Sequence, residues 1–114
     1  MVATRTRLRR HGVKSVWHGP DGCRTHIYTS RSNSGGPCVV LHGVGSNAST
    51  YAPLIKRLAG KTSRLWAPEL LGHGFSDLPD PLPTTQELYE SLRTTLDAML
   101  DAPILLIGTS LVVP

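Results

Sequence analysis

Three short segments of the chain combine glycine with histidine, an acid or a hydroxyl, and each follows an apolar run. They are His42-Gly43-Val44-Gly45-Ser46, residues 69–76 (Glu-Leu-Leu-Gly-His-Gly-Phe-Ser) and Gly108-Thr109-Ser110-Leu111. Glycines let a chain turn sharply and expose backbone N–H groups, which can bind a developing negative charge. A serine hydroxyl becomes a nucleophile when a neighbouring base removes its proton. These segments are therefore the candidates for an active site.

Short apolar strand patterns precede the three segments, at residues 38–41, 64–67 and 104–107, and the first and last of them are apolar throughout. Runs without polar alternation are typical of strands covered on both faces of a parallel sheet. In open α/β sheets, ligands bind at the carboxyl ends of such strands. We therefore expect the three segments to lie together at one edge of a sheet.

Two stretches between these strands have helical periodicity. The first has apolar residues at spacings of three and four, with Ser49 or Thr50 as the predicted cap, Pro53 in the first turn and Gly60 after the end. The second begins with a capping-box pattern, Thr84 followed by Glu87. The predicted apolar faces are Tyr51, Leu54, Ile55 and Leu58 in the first helix, and Leu88, Leu92, Leu96, Met99 and Leu100 in the second.

Residues 13–18 and 24–30 are two β-type runs separated by Gly19-Pro20-Asp21-Gly22, which predicts an N-terminal hairpin. A hairpin followed by strand, helix, strand, helix and strand predicts an α/β fold, with a mostly parallel sheet and helices on both faces. The chain has 114 residues, enough for one small domain.

The formal net charge of +4 is concentrated near the N-terminus. Residues 1–20 contain no acid, whereas residues 21–114 are close to neutral. We therefore predict a basic, disordered tail at residues 1–12, a domain at 13–114, and no nucleic-acid-binding face. The five basic residues are Arg5, Arg7, Arg9, Arg10 and Lys14.

No apolar stretch approaches the roughly 18 residues that a membrane span requires. No apolar signal-peptide segment follows the basic start, and two cysteines without a CxxC pattern suggest no dense disulfide framework. The sequence thus predicts a cytoplasmic protein that interacts with neither membrane nor nucleic acid. We predict no bound cofactor and no metal.

In order, residue type and spacing, the three segments resemble the N-terminal part of the α/β-hydrolase family, over residues 13–111 and ending just after the nucleophile elbow. The resemblance implies that Ser110 is the nucleophile and that the backbone N–H groups of Val44 and Leu111 form the oxyanion hole. It implies a small-molecule substrate with an ester or related acyl bond, and His42 and His73 as structural residues rather than bases. The implied pocket loops contain His42, Gly43, Gly45, Gly72, His73 and Gly74.

The chain departs from the family pattern after the serine. The elbow of the family is Gly-x-Ser-x-Gly, but Val112 occupies the last position here, and the triad order of serine, acid, histidine needs residues beyond Pro114. We therefore expect an incomplete domain, a truncated fragment that is inactive alone for lack of the triad acid and histidine. Residues 104–107 would then form an exposed edge strand prone to self-association or aggregation.

Two alternatives remain open at this point. Residues 43–48 satisfy G-x-G-x-x-A after a strand, and Glu69 follows 21 residues later, so a dinucleotide-binding, Rossmann-like half-domain is possible. The second alternative is a non-catalytic truncated product that acts only by pairing with a partner.

Overall fold

The computed structural model describes residues 2–43, 45–99 and 105–108. The helices of these ranges are α1 (Val2–Arg9), α2 (Ala52–Ala59) and α3 (Thr85–Met99), and a 3₁₀ turn (Ala48–Tyr51) precedes α2. The strands are β1 (Lys14–His18), β2 (Thr25–Arg31), β3 (Pro37–Leu41), β4 (Arg64–Pro68) and β5 (Leu105–Gly108).

The five strands form one sheet in the order β1-β2-β4-β3-β5. Strands β1 and β2 pair as the predicted antiparallel hairpin, and β2 also pairs antiparallel with β4. Strand β3 pairs parallel with both β4 and β5. The sheet is therefore mixed rather than mostly parallel, but its parallel part contains all three strands that carry the candidate segments.

Helices α1 and α2 cover one face of the sheet. Ile55 of α2 is fully buried, and Tyr51, Leu54 and Leu58 pack against the same cluster, which confirms the predicted apolar face. The sheet contributes a set of buried apolar residues on this side: Tyr28, Cys38, Val40, Leu65 and Ala67. Both Cys38 and the exposed Cys23 are free thiols.

Helix α3 covers the opposite face. Its residues Leu88 and Leu92 are buried, and Leu96 and Met99 pack beside them, as the periodicity predicts. Leu100, the last member of the predicted stripe, lies outside the described residues. The capping box is present: the Glu87 carboxylate accepts the Thr84 N–H at 2.9 Å, and the Thr84 hydroxyl accepts the Glu87 N–H at 3.2 Å. Helices on both faces establish the predicted α/β class.

The start of α2 differs from the prediction. Neither Ser49 nor Thr50 caps it, because the 3₁₀ turn takes up both residues and Tyr51 occupies the N-cap position without a side-chain bond. The Ser49 hydroxyl instead lies 3.3 Å from the Tyr28 hydroxyl. Proline in the first turn and Gly60 at the C-cap are as predicted.

Helix α1 occupies the segment predicted to be a disordered tail. Leu8 is buried in the cluster beneath α1 and α2, and the Arg5 guanidinium lies 4.8 Å from the centre of the Phe75 ring. A single buried leucine and a cation–π contact thus hold a helix that has little helical periodicity of its own. The expectation of disorder is corrected for Val2–Arg9.

Among the described strands, β5 lies at one edge of the sheet and β1 at the other. An edge position for the last strand is what the sequence predicts, and its self-association stays a prediction. Within the described ranges, no helix is both long enough and apolar enough to cross a membrane.

Candidate active site

The carboxyl ends of β3, β4 and β5 lie at the same edge of the sheet, because the three strands are parallel. Leu41, the last residue of β3, is in register with Gly108, the last residue of β5. The segments at residues 42–46 and 69–76 therefore meet at this edge. Ser110, Leu111 and Val44 lie outside the described residues, so their roles stay predictions.

His42 is buried directly after β3 and joins two backbone groups. Its Nε2 accepts the N–H of Leu70 at 3.0 Å, and its Nδ1 lies 2.8 Å from the carbonyl oxygen of Gly43. Because the Leu70 N–H can only donate, Nε2 must accept. The ring proton is therefore on Nδ1, which donates to the Gly43 carbonyl oxygen. Burial lowers the pKa of His42 below its usual value and favours this neutral form.

His73 repeats the same pattern from the other loop. Its Nε2 accepts the N–H of Gly45 at 2.9 Å, and its Nδ1 lies 2.9 Å from the carbonyl oxygen of Leu71. The His42 and His73 ring centres are 5.3 Å apart. The two loops thus exchange hydrogen bonds, each histidine accepting an N–H from the other loop, and neither Nε2 lone pair is free to take a proton from a substrate.

Glu69 is the buried centre of the second loop. Its Oε1 lies 2.7 Å from His26 Nδ1 and accepts the N–H of Phe75 at 3.0 Å, while its Oε2 accepts the N–H of Ala48 at 3.0 Å. Burial alone raises the pKa of this carboxyl, but the hydrogen bonds from His26, Phe75 and Ala48 outweigh burial and hold it below its usual value. The carboxylate therefore stays ionised and ties both loops to the sheet.

His26 reaches Glu69 from the start of β2. The antiparallel pairing of β2 with β4 sets Ile27 opposite Pro68, and the Glu69 N–H donates to the His26 carbonyl at 2.8 Å. The buried ring contacts three aromatic side chains, Trp17, Tyr28 and Phe75, with centroid distances of 4.6 to 5.3 Å. Its Nε2 has no hydrogen-bond partner in the described part of the chain.

The end of the second loop is fastened by Ser76 and Asp77. The Ser76 hydroxyl donates to the Glu69 carbonyl at 2.6 Å and accepts the His26 N–H at 2.8 Å. The Asp77 carboxylate accepts both the backbone N–H and the guanidinium of Arg24, and this hydrogen bonding lowers the pKa of Asp77. The loop is thus held at both ends by the β1–β2 hairpin.

Glycine is required at two positions of these loops for different reasons. Gly74 has a φ of 54°, and a Cβ there would overlap the Glu69 carboxylate. Gly45 has a φ of 86° but open space around the missing Cβ. The backbone must pass directly over the carboxylate at Gly74, whereas at Gly45 only the left-handed conformation is demanded.

From the sequence, Glu69 was a candidate only as a ribose ligand, and His26 had no assigned role. The structure contradicts the dinucleotide alternative, because the Glu69 side chain is fully buried and its carboxylate is bonded to His26, Ala48 and Phe75 instead of facing a ribose. One signal was available in the sequence: an acid that directly follows an apolar strand needs buried hydrogen-bond donors. Its partner His26 lies in the antiparallel strand β2, and nothing in the sequence around His26 indicates this contact.

No cluster of three or more histidine, cysteine or acidic side chains placed to hold a metal ion occurs among the described residues. The fold and the two loops define an α/β protein whose site is built from backbone groups held by buried histidines and a carboxylate, at the carboxyl edge of parallel strands.

A family model described as the alpha/beta hydrolase family matches residues 38–111, well over half of the chain. The chain belongs to the alpha/beta hydrolase family. This finding agrees with the resemblance seen in the three glycine-containing segments.

Solved structures with the same fold carry the names of different enzymes. A haloalkane dehalogenase, DatA of Agrobacterium tumefaciens, is 28% identical with a TM-score of 0.72, over 86% of this chain and 33% of its own. A protein of Acinetobacter baumannii assigned as a lipase is 19% identical with a TM-score of 0.81, over 96% of this chain and 37% of its own. The thioesterase domain of the curacin biosynthetic pathway is 20% identical with a TM-score of 0.70, over 85% of this chain and 35% of its own. The chain thus spans about a third of the length of these structures.

Proposed function

We propose that this chain supplies the N-terminal part of a serine hydrolase that cleaves an ester or related acyl bond, with Ser110 as nucleophile. The observation that supports it most directly is the register of β3 with β5, in which Leu41 is opposite Gly108. In the sequence, Gly43 follows the end of β3 by two residues and Ser110 follows the end of β5 by two residues. Neighbouring strands are about 4.8 Å apart, so a carbonyl group attacked by Ser110 would have its oxygen beside the loop at residues 43–45.

The proposed reaction has two steps. The Ser110 hydroxyl gives its proton to a base and bonds to the acyl carbon, while the carbonyl oxygen becomes an oxyanion held by the N–H groups of Val44 and Leu111. The oxyanion collapses, the bond to the leaving alcohol or thiol breaks, and the base returns the proton to that group. Water then hydrolyses the acyl-enzyme by the same route.

The base has to come from outside these 114 residues. The ring nitrogens of His42 and His73 are engaged with backbone groups, and His26 is buried in β2. His18 lies on β1, four strand spacings from β5, or roughly 19 Å, and His11 lies in the turn that leads from α1 into β1. We therefore propose that the 114-residue chain alone does not turn over substrate.

The substrate class rests on the serine. The relatives include a lipase and a thioesterase domain, both acyl-bond enzymes by name, and a dehalogenase. A serine at position 110 suits acyl transfer, since its hydroxyl oxygen can attack a carbonyl carbon and backbone N–H groups can then stabilise the oxyanion that forms. The length and polarity of the acyl group are left to experiment.

The test begins with the coding DNA beyond the codon for Pro114, read in all three frames for a later acid and histidine. The protein carrying that segment is assayed with p-nitrophenyl esters and labelled with a fluorophosphonate probe. We expect ester hydrolysis and labelling at Ser110, both lost at least about 1,000-fold in Ser110→Ala. Ser34→Ala, which removes an exposed serine from a loop, is the matched control and keeps full activity.

Wild-type turnover in Ser110→Ala would overturn the proposal. Absence of an acid and a histidine in every frame would overturn it too, and would favour the non-catalytic alternative. Labelling of Ser110 in the 114-residue chain at the rate of the longer form would contradict the proposed inactivity.

A further inference from the structure

We propose that Lys14, Arg31 and Arg64 form a binding site for a phosphate monoester at the edge of the sheet where β4 begins. The three side chains come from β1, β2 and β4, and they line one groove of about 360 Å³. Arg64 is the first residue of β4, so the groove lies at the opposite edge of the sheet from the loop at residues 69–76. The proposal therefore does not depend on the proposed hydrolase function.

The strand pairing places the three cationic side chains on one face of the sheet. Arg31 and Arg64 are directly opposite each other on β2 and β4, and Lys14 is opposite Thr29, two residues before Arg31. Side chains alternate between the faces of a strand, so Thr29 and Arg31 share a face with their partners. Opposite residues have Cβ atoms roughly 5 Å apart, and diagonal neighbours about 7–8 Å. The long side chains span such distances, so one oxyanion can contact all three.

The positive charge of this cluster is not compensated within the described ranges. The acidic side chains that form ion pairs there are bound to other partners, and no acid lines the groove. Like charges directly opposite each other destabilise a strand pair. Burial lowers the pKa of Arg64 below its usual value, and the neighbouring guanidinium of Arg31 lowers it further. A bound dianion would remove this repulsion.

The Arg64 guanidinium is already held in place for such a ligand. It lies 5.1 Å from the centre of the Trp66 ring, at a distance typical of a cation–π contact. Its Nε is shielded from solvent and has no hydrogen-bond partner in the part of the chain that the structure describes. A buried donor without an acceptor costs free energy. An oxygen of the ligand at this N–H would offset that cost.

The number and type of the cations indicate the chemistry of the ligand. A guanidinium presents paired N–H donors that match two oxygens of a phosphate, and an ammonium adds further donors. A phosphate monoester carries close to two negative charges at pH 7 and three acceptor oxygens, whereas a carboxylate carries one charge and two oxygens. Three cations therefore match a phosphate monoester better. Because Lys14 and Arg31 are exposed, both a soluble phosphate ester and the headgroup of phosphatidic acid can reach the groove.

The test is a titration of the full 114-residue chain with inorganic phosphate at constant ionic strength, followed by NMR at the amides of residues 14, 31 and 64. We expect saturable shifts at these amides, and an affinity at least about 10-fold weaker in Arg31→Gln. Arg31 is exposed and faces a like charge, so the unfolding temperature of this variant without phosphate should not fall. Arg57→Gln removes the same charge from the exposed side of α2 and is the control, with wild-type affinity expected.

A second experiment identifies the source of the phosphate group. Vesicles of phosphatidylcholine with and without phosphatidic acid are sedimented with the wild type and with Arg31→Gln. Cosedimentation that needs both phosphatidic acid and Arg31 assigns the site to a lipid headgroup, whereas phosphate binding without cosedimentation assigns it to a soluble ester.

Absence of saturable shifts in the wild type, or unchanged affinity in a folded Arg31→Gln variant, would overturn the site. Equal weakening in Arg57→Gln and Arg31→Gln would overturn it too, because it would show attraction by the net charge of the chain rather than by this groove.

Discussion

His26 Nδ1 and Glu69 Oε1 are 2.7 Å apart, and both side chains are completely buried. The pair joins the first residues of β2 to the loop after β4, and the same carboxylate also binds the amides of Ala48 and Phe75. One side chain therefore joins three segments of the chain: the start of β2, the 3₁₀ turn and the loop after β4.

Replacing Glu69 with glutamine should destabilise the fold strongly. The amide keeps the size of the side chain but turns one acceptor into a donor, which then faces N–H groups that can only donate. We expect a loss of about 2–4 kcal/mol in the free energy of unfolding, measured by urea denaturation. Glu90→Gln, on the exposed face of α3, should change it by less than about 0.5 kcal/mol. Equal effects of the two variants would contradict the role given to Glu69.

Stability should fall on the acid side of neutrality. The ordinary pKa of a histidine side chain is 6.5, and burial lowers the pKa of His42 in the fold, so the unfolded chain binds the proton first. The contribution of His42 is therefore fully present above pH 6.5 and is lost as the pH falls through its lower folded pKa. We expect a slope of up to about 1.4 kcal/mol per pH unit in that window from this group.

The measurement for this prediction is urea unfolding at pH 8, 7, 6 and 5.5, with His42→Gln beside the wild type. The His42→Gln variant should be less stable at pH 8, but its free energy of unfolding should change less with pH. Ser34→Ala should show the wild-type dependence on pH. Glu69, whose folded pKa is also depressed, adds a further loss below the ordinary glutamate pKa of 4.5. Identical slopes in His42→Gln and the wild type would contradict this account.

Alanine at three glycines should give three different losses of stability. Gly74→Ala combines a left-handed backbone with overlap of the Glu69 carboxylate, and we expect about 3 kcal/mol or more. Gly45→Ala has the strained φ without the overlap, and we expect about 1 kcal/mol. Gly60→Ala has an ordinary φ and open space, and should lie within about 0.5 kcal/mol of wild type. Thermal or urea unfolding gives the order, and any other order refutes the geometry.

Leu8→Ala should destabilise the protein although it lies in the basic N-terminal segment. The side chain is 3% exposed beneath α1, so its removal leaves a cavity and should cost about 2–4 kcal/mol of unfolding free energy. Val2→Ala, at the exposed start of the same helix, is the control and should be neutral. No loss on Leu8→Ala would return this segment to the disordered tail that the sequence predicts.

Local patterns in the sequence were sufficient for most elements. The reciprocal bonds of Thr84 with Glu87 and the buried stripe of Leu88 and Leu92 follow from spacing alone, since they involve residues within a few turns of one helix. Helix α1 could not be found this way, because it is held by one leucine and by a contact of Arg5 with Phe75, 70 residues away.

The candidate site shows the same division. The glycines and the histidines of the two loops were identifiable, because turns and strand ends have local signals. The hydrogen-bond partners of those histidines could not be identified from the sequence, since Leu70 and Gly45 contribute backbone amides that any residue type would supply. The burial of the Glu69 carboxylate is explained by its contact with His26, and that contact exists only because β2 pairs with β4.

Strand β4 lies between β2 and β3, although it follows both in the sequence. On a ribosome, the β1–β2 hairpin can close as soon as it emerges, but β2 and β3 have no shared partner until residue 68 has left the exit tunnel. The centre of the sheet is therefore completed only after β4 has emerged, and the edges of β2 and β3 that pair with β4 stay unpaired through about 30 residues of synthesis. Early chaperone binding should concentrate on nascent chains that end within this interval.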